Sequence, residues 1–372
     1  MIKLLKRKTN KSRTYGLDIL RCLAILFVVF SHGNLILPQS ISIYLELFIF
    51  DGVSLFFVLS GFLIGGILIR EMERKHSDFS LISFWKNRWF RTLPAYFLVF
   101  ILLIFIDLIL AGDSSFPNLW SYVFFVQNLH YPHPEWFPEA WSLSVEEWFY
   151  ILMPLLLYFF NRFLKFKIEN SIMIVSILVL LSVTFFRLYN FYLLKEISER
   201  DWDLIFRKQV FFRLDSLMYG VIGAFFYRYK KGIWFTYRKY FFILGIITAV
   251  INKFLIPFDS NSIYSCVFYF SLDSLATLLL LPYLNEIKTG KGLIYKAITG
   301  IALISYSMYL VNYSLVMDRI LRFVSINTNN NYINFSVQYI LFWSITVSIS
   351  MVIYNYCEVP MMNLRNKSNK SN

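Results

Sequence analysis

The sequence predicts an all-α membrane protein, a polytopic bundle of about ten transmembrane helices with both termini cytoplasmic. Of its 372 residues, 58% are hydrophobic, 20% aromatic and only 16% charged, against roughly 25% charged in an average soluble domain. So much apolar surface has to face lipid rather than a single buried core. Ten apolar runs recur from end to end, each near the length of about 20 residues that crosses about 30 Å of hydrocarbon. The basic residues between them fall mostly on one side.

The first run, 17–37, follows six Lys and Arg between Lys3 and Arg13. It is too long for the apolar stretch of a cleaved signal peptide and lacks a small-residue cleavage site, so it reads as a retained helix. The second, 45–69, leads into six cations between Arg70 and Arg91, and the third, 93–110, returns outward. The fourth, 141–160, contains Pro154, expected to kink it, and leads to three cations between Arg162 and Lys167. The fifth and sixth are 172–194 and 210–227, with Gly220 allowing a close helix approach, and five cations follow between Arg228 and Lys239. The seventh and eighth, 240–256 and 263–284, precede three lysines at 288–296, and the ninth and tenth, 298–316 and 333–356, precede three cations at 365–370.

With an inside N-terminus, 26 of the 36 Lys and Arg lie inside, Arg21, Arg187 and Arg213 fall within runs, and seven lie outside. That bias is the positive-inside rule. The net charge of +13 therefore calls for no nucleic-acid partner. Residues 1–14 read as a basic cytoplasmic segment, 15–360 as one transmembrane domain and 361–372 as a cytoplasmic tail, so any chemistry is expected in the membrane part. Cys22, Cys266 and Cys357 lie far apart and offer no disulfide framework or metal motif.

An ionisable side chain inside a span is costly, which makes each one a site candidate. In YGLDILRCLAILFVVFSHG, Arg21 and His32 are eleven residues apart, close to three turns, so they project from one face with the imidazole about 16 Å above the guanidinium. A base near neutrality suits abstraction of a hydroxyl proton. Arg88 and Arg91, at i and i+3 in FWKNRWFRTLPAY, can converge on one anion. Their neighbours Trp85, Trp89 and Tyr96 read as interfacial aromatics. In WSLSVEEWFYILMP, Glu146 and Glu147 cannot share a helix face, and Glu146 is expected at the height of His32, where a carboxylate would orient the imidazole, with Glu147 reaching the interface. Arg213 and Asp215 in FRLDSLMYG suggest an ion pair between helices, and Asp107, Arg187 and Asp273 read as structural. The outer segment 112–140, with Trp120, Tyr122, His130, His133, Glu135, Trp136 and Glu139 and no Lys or Arg, could stack on a sugar. The His130-x-x-His133 spacing is discounted as a metal pair because no further ligands are evident.

Taken in order, these segments resemble the acyltransferase 3 family of integral membrane proteins, from about Tyr15 to Pro360. The family's Arg, ten residues, His pattern is matched by Arg21 and His32, its GVxxFFxxSGF run by Gly52 to Phe62, and its Arg-x-x-Arg motif by Arg88 and Arg91. Its WSLxxE is matched by Trp141 to Glu146, its FRxD by Phe212 to Asp215 and its closing Glu-x-Pro by Glu358 and Pro360. One departure is clear: where members often carry His in SYxxYLxH, this chain reads Ser305 to Asn312 as SYSMYLVN.

The resemblance implies transfer of an acyl group, usually acetyl from acetyl-CoA, to a hydroxyl of a cell-surface or lipid-linked saccharide, in a bacterial plasma or inner membrane. Acyl-CoA would be a co-substrate rather than a tightly bound cofactor, and no metal is expected. Arg88 and Arg91, joined by Arg21, would take the CoA phosphates; His32 would be the general base, steadied by Glu146. Asp18, Ser142, Tyr150, Arg213 and Asp215 would form a substrate-binding or structural polar network. The rival reading is a transporter or flippase for a polysaccharide or lipid-linked sugar, since buried charges also suit a translocation path. Paired, interrupted helices in corresponding halves, which that reading would favour, are not evident.

Overall fold

The computed structural model describes residues 13–75, 79–111, 116–324 and 330–368. Within them the chain is all-helical, without strands. Ten principal helices correspond to the ten apolar runs: α1 (Tyr15–Gly33), α2 (Gly52–Lys75), α3 (Leu81–Ala111), α4 (Ala140–Arg162), α5 (Ile168–Leu193), α6 (Leu214–Tyr229), α7 (Arg238–Val250), α8 (Tyr269–Leu284), α9 (Gly292–Val311) and α10 (Asn331–Ile353). Eight helical segments among the described residues are long and apolar enough to cross a bilayer, which makes this a multi-pass membrane protein. The two that fall short are α6 and α7. With 16 residues, α6 is about 24 Å long, less than the hydrocarbon thickness. The basic segment expected at 1–14 lies outside the described residues up to position 12.

The helices run alternately between two ends. At one, here the basic end, α1 and α3 begin and α2 and α6 finish, bringing Arg13, Arg70, Arg88 and Arg228 around one cavity. At the distal end, π-helical turns extend α7 and α9 and precede α8, and a further one, Tyr354–Glu358, extends α10 towards the basic end. Two of these, Asn312–Ile320 after α9 and Tyr264–Phe268 before α8, lie beside buried polar groups, a common setting for such turns.

The bundle is organised on α2, which packs against α1, α6 and α8. Its contact with α6 is so close that a Cβ at Gly61 would lie 1.9 Å from the Leu217 carbonyl oxygen, and one at Gly220 would lie 2.0 Å from that of Val58. Small residues on both helices let backbones meet where lipid offers no hydrophobic drive for association. Gly220 thus has the role its sequence suggested.

Buried charges tie the helices. Arg187 of α5 is fully buried and donates to Asp215 of α6 at 2.9 Å, to the Val267 carbonyl at 2.9 Å and to the Phe212 carbonyl. Arg213 does not pair with its sequence neighbour Asp215. It turns to Ser54 (2.8 Å) and Asp51 (3.6 Å) and sits over the Phe270 ring. The ion pairs expected between helices therefore exist, with different partners.

The aromatics read as interfacial instead staple α3 to neighbouring segments through their polar tips. α4 continues unbroken through Pro154. Proline has no N–H for the carbonyl four residues earlier, and that Tyr150 oxygen is taken by the Trp85 indole at 2.9 Å. Trp89 and Thr92 both donate to Glu147 at 3.0 Å, so Glu147 is buried between helices rather than at an interface. Tyr96 donates to the Tyr122 carbonyl at 3.0 Å.

Candidate active site: an arginine basin, a middle cavity and a histidine cavity

Arg21 and the Arg88/Arg91 pair meet at the basic end. They line a basin with Arg13, Arg70 and Arg228, and Asp18 is the only carboxylate among its lining residues. Asp18 accepts from Arg13 at 2.6 and 3.0 Å and from Arg21 at 3.4 Å, which fixes the start of α1 over the basin. Its role is to position the arginines. Arg91 has no hydrogen-bond partner among the described residues. Arg228 is paired with Glu73 at 2.7 Å, so five guanidiniums and one carboxylate among the described lining residues leave a surplus of positive charge suited to a polyanion.

The basin shares Arg21, Leu63, Arg88 and Arg91 with a middle cavity enclosed by Phe56, Phe57, Leu143 and Leu303. Its polar centre is the Tyr150 hydroxyl, which donates to Glu146 at 2.6 Å, accepts from Arg88 at 3.0 Å and lies 2.7 Å from Ser60. The sequence expectation that Glu146 orients His32 is corrected here. Glu146 is seven residues along α4 from Glu139, about 10 Å of helix, and this sets it at the level of Arg88. Glu139, immediately before α4, reaches the histidine cavity instead, which Asp51, Glu135, Asp203 and Asp318 also line. The sequence left the start of α4 too loosely fixed to choose between them.

Beyond the middle cavity, Val53 and Tyr309 line both it and a third cavity at the distal end. Ser142 Oγ lies 2.6 Å from Tyr309 Oη, which donates onward to the Glu139 carbonyl at 3.1 Å. The third cavity contains His32, Asp51, His133, Glu139, Trp141 and Tyr313 among its walls. Arg21 and His32 thus lie on the cavity-lining face of α1, as their spacing required, three turns apart.

His32 Nδ1 is hydrogen-bonded to Asn312 Oδ1, and its ring packs 4.9 Å from that of Tyr313. Asn312 stands where the family motif suggested a histidine, and it supplies the partner assigned to Glu146. The surrounding turn is held by Glu139, which accepts from the backbone N–H of Tyr313 (3.0 Å) and Ser314 (2.7 Å) and from the Ser314 hydroxyl. Burial pushes the Glu139 carboxyl up to about 7, against the pull of the Ser314 bonds. Asp51 accepts from the N–H groups of Val53 and Ser54, capping α2.

The outer segment is less of an exposed aromatic surface than its composition suggested. Trp120 is exposed, but Tyr122, His133 and Glu139 turn inward and Trp136 donates to Asp107, which also binds Arg319. Burial and the nearby Lys208 push the His133 imidazole down to about 3 and keep it neutral. Residues 112–115 of this segment lie outside the described ones. Asn312 and Tyr309 are the site residues that reading by residue type passed over, and Glu139 was read only as part of the outer surface. The SYSMYLVN stretch contained the signal for both Tyr309 and Asn312.

A family model described as an acyltransferase domain, that of the acyltransferase 3 family, matches residues 14–355. The chain is 29% identical to O-acetyltransferase OatA of Staphylococcus aureus (strain NCTC 8325 / PS 47), across 93% of this chain and 57% of that protein. It is 32% identical to peptidoglycan O-acetyltransferase OatA of Listeria monocytogenes over 43% of this chain and 27% of that protein. It is also 26% identical to a putative O-acetyltransferase of S. aureus strain COL, across 93% and 56%. The chain spans little more than half the length of the S. aureus relatives. No solved structure matches it.

Proposed function

The chain belongs to the acyltransferase 3 family, and from that premise we propose that it is a membrane O-acyltransferase, moving an acetyl group from acetyl-CoA to a saccharide hydroxyl. The observation that carries this reading is the row of adjoining cavities, from the arginine basin through an apolar middle cavity to His32. The arrangement suits a donor that is an anion at one end and a thioester at the other. CoA phosphates bind Arg21, Arg88 and Arg91 from the cytoplasmic face of a bacterial plasma membrane, and the pantetheine arm lies along the apolar walls.

The acetyl thioester meets the acceptor at the wall formed by Val53 and Tyr309. His32 Nε2 takes the proton of the acceptor hydroxyl as its oxygen attacks the thioester carbonyl carbon. The C–O bond forms, the C–S bond breaks, and the departing thiolate recovers the proton from the imidazolium. Trp141 and Tyr313 offer apolar faces to a sugar ring. The basin's cations are matched to the donor, so the saccharide enters from the distal end.

The direct test is purified protein in proteoliposomes with radiolabelled acetyl-CoA and a saccharide acceptor, without an ion gradient. Labelled O-acetyl ester is expected; substrate translocated but chemically unchanged would favour a transporter and sink the reading.

The arginines act on donor binding. Arg88→Ala and Arg91→Ala each remove charge-assisted hydrogen bonds of about 1.5–3 kcal/mol. Each is therefore expected to raise KM for acetyl-CoA about 10- to 100-fold with a smaller change in kcat. Steady-state kinetics with varied acetyl-CoA check this, and an unchanged KM for both variants would remove the basin from donor binding.

A further inference from the structure

We infer that Asn312 is a positioning residue that fixes His32 in one tautomer, with the proton on Nδ1 and the lone pair of Nε2 directed to the acceptor. The inference rests on the proposed role of His32 and adds a residue that neither composition nor motif assigned. Asn312 closes α9 and opens the π-helical stretch Asn312–Ile320, where the widened turn disturbs the usual backbone pairing.

Its side-chain amide nitrogen is committed to the backbone: Nδ2 donates to the Met308 carbonyl at 2.9 Å and to the Tyr309 carbonyl at 2.8 Å. Rotating the amide by half a turn would set its oxygen against two carbonyl oxygens. The hydrogen-bond network therefore assigns Oδ1 to the side facing His32, where it contacts Nδ1. An amide oxygen can only accept, so Nδ1 must carry the hydrogen, and in a neutral imidazole Nε2 is then the acceptor.

Nε2 has no hydrogen-bond partner among the described residues, and His32 lines the distal cavity. Asn312 is completely buried, and Glu139 anchors the next two residues through their backbone N–H groups. The amide thus has little freedom to reorient. It also stabilises the imidazolium that forms when Nε2 takes a proton, because its oxygen faces the N–H on the opposite side of the ring.

Two measurements test the assignment. The first uses the unaltered protein labelled with 15N-histidine, which has four histidines, with His32 identified by the signal lost in His32→Gln. The expected spectrum has a protonated Nδ1 and an unprotonated Nε2 at neutral pH; the reverse tautomer, or a fast mixture of both, overturns the proposal. The second compares Asn312→Leu with Asn312→Asp. Leucine removes the acceptor and is expected to lower kcat roughly 10- to 100-fold, the scale on which a histidine's orienting partners are felt, with KM for acetyl-CoA unchanged.

Asp keeps an acceptor opposite Nδ1 and is expected to recover most of that loss. Equal activity of Asn312→Leu and wild type, with His32→Ala inactive, would overturn the positioning role and leave the base in place. An active His32→Ala would instead overturn the reading of the base itself. Should Asn312→Leu not fold, the spectrum of the unaltered protein still decides the tautomer.

Discussion

His32→Ala is expected to lower acyl transfer by about 10²- to 10⁴-fold, the contribution of a positioned general base, or roughly 3–5 kcal/mol of barrier. The loss should fall on kcat. The imidazole lies at the distal end of the row of cavities, in a different cavity from Arg21, Arg88 and Arg91, so acetyl-CoA binding should survive. Its contacts are with Asn312 and the Tyr313 ring, so truncation leaves the helix packing of α1 in place and protein levels in the membrane should match wild type. Radiolabelled transfer and a separate donor-binding assay on the same purified variant check both halves. Transfer at the wild-type rate would take His32 out of the chemistry.

Gly220→Leu is expected to abolish recovery of folded protein. Its Cβ would lie 2.0 Å from the Val58 carbonyl oxygen and 2.5 Å from the Phe62 nitrogen, and these are backbone atoms of α2, which cannot swing aside. Overpacking of this kind costs typically 1–3 kcal/mol, and more where helices must separate, out of a total stability of only about 5–15 kcal/mol. Gly300→Ala is the control. It lies within α9, a Cβ there meets nothing within 4 Å, and alanine should be neutral or stabilise by about 0.5–1 kcal/mol through helix propensity. Thermal unfolding in detergent distinguishes the two, and equal behaviour would refute the close approach of α2 and α6.

Much of this architecture was legible because lipid imposes a simple rule. Each apolar run became a helix, and the eleven-residue step from Arg21 to His32 placed both on one face, since helical periodicity alone decides that. The i, i+3 spacing of Arg88 and Arg91 was sufficient to bring both to one basin. What escaped the sequence was depth and partnership. Glu146 was set at the wrong level because a shift of seven residues along α4 changes height by about 10 Å, more than the span's ends were known to. Arg213 and Asp215 adjoin in sequence yet serve different helices, and no periodicity says which. Asn312 was visible only as the absence of an expected histidine. Its value depends on two backbone carbonyls in the last turn of α9, just before the helix passes into π-helical turns, a feature that apolar patterning does not encode.

The wall at Val53 and Tyr309 has a consequence for the cell as well as for the reaction. Polar recesses entering a bilayer from opposite faces would, if they merged, short-circuit the proton-motive force. The Tyr309 phenol, tied to Ser142 and to the Glu139 carbonyl, spends its hydrogen-bonding capacity on protein rather than on a file of water. On the proposed transfer between the two faces, that partition keeps the membrane insulating, and truncating it, as in Tyr309→Ala, should make vesicles leak protons even where transfer continues.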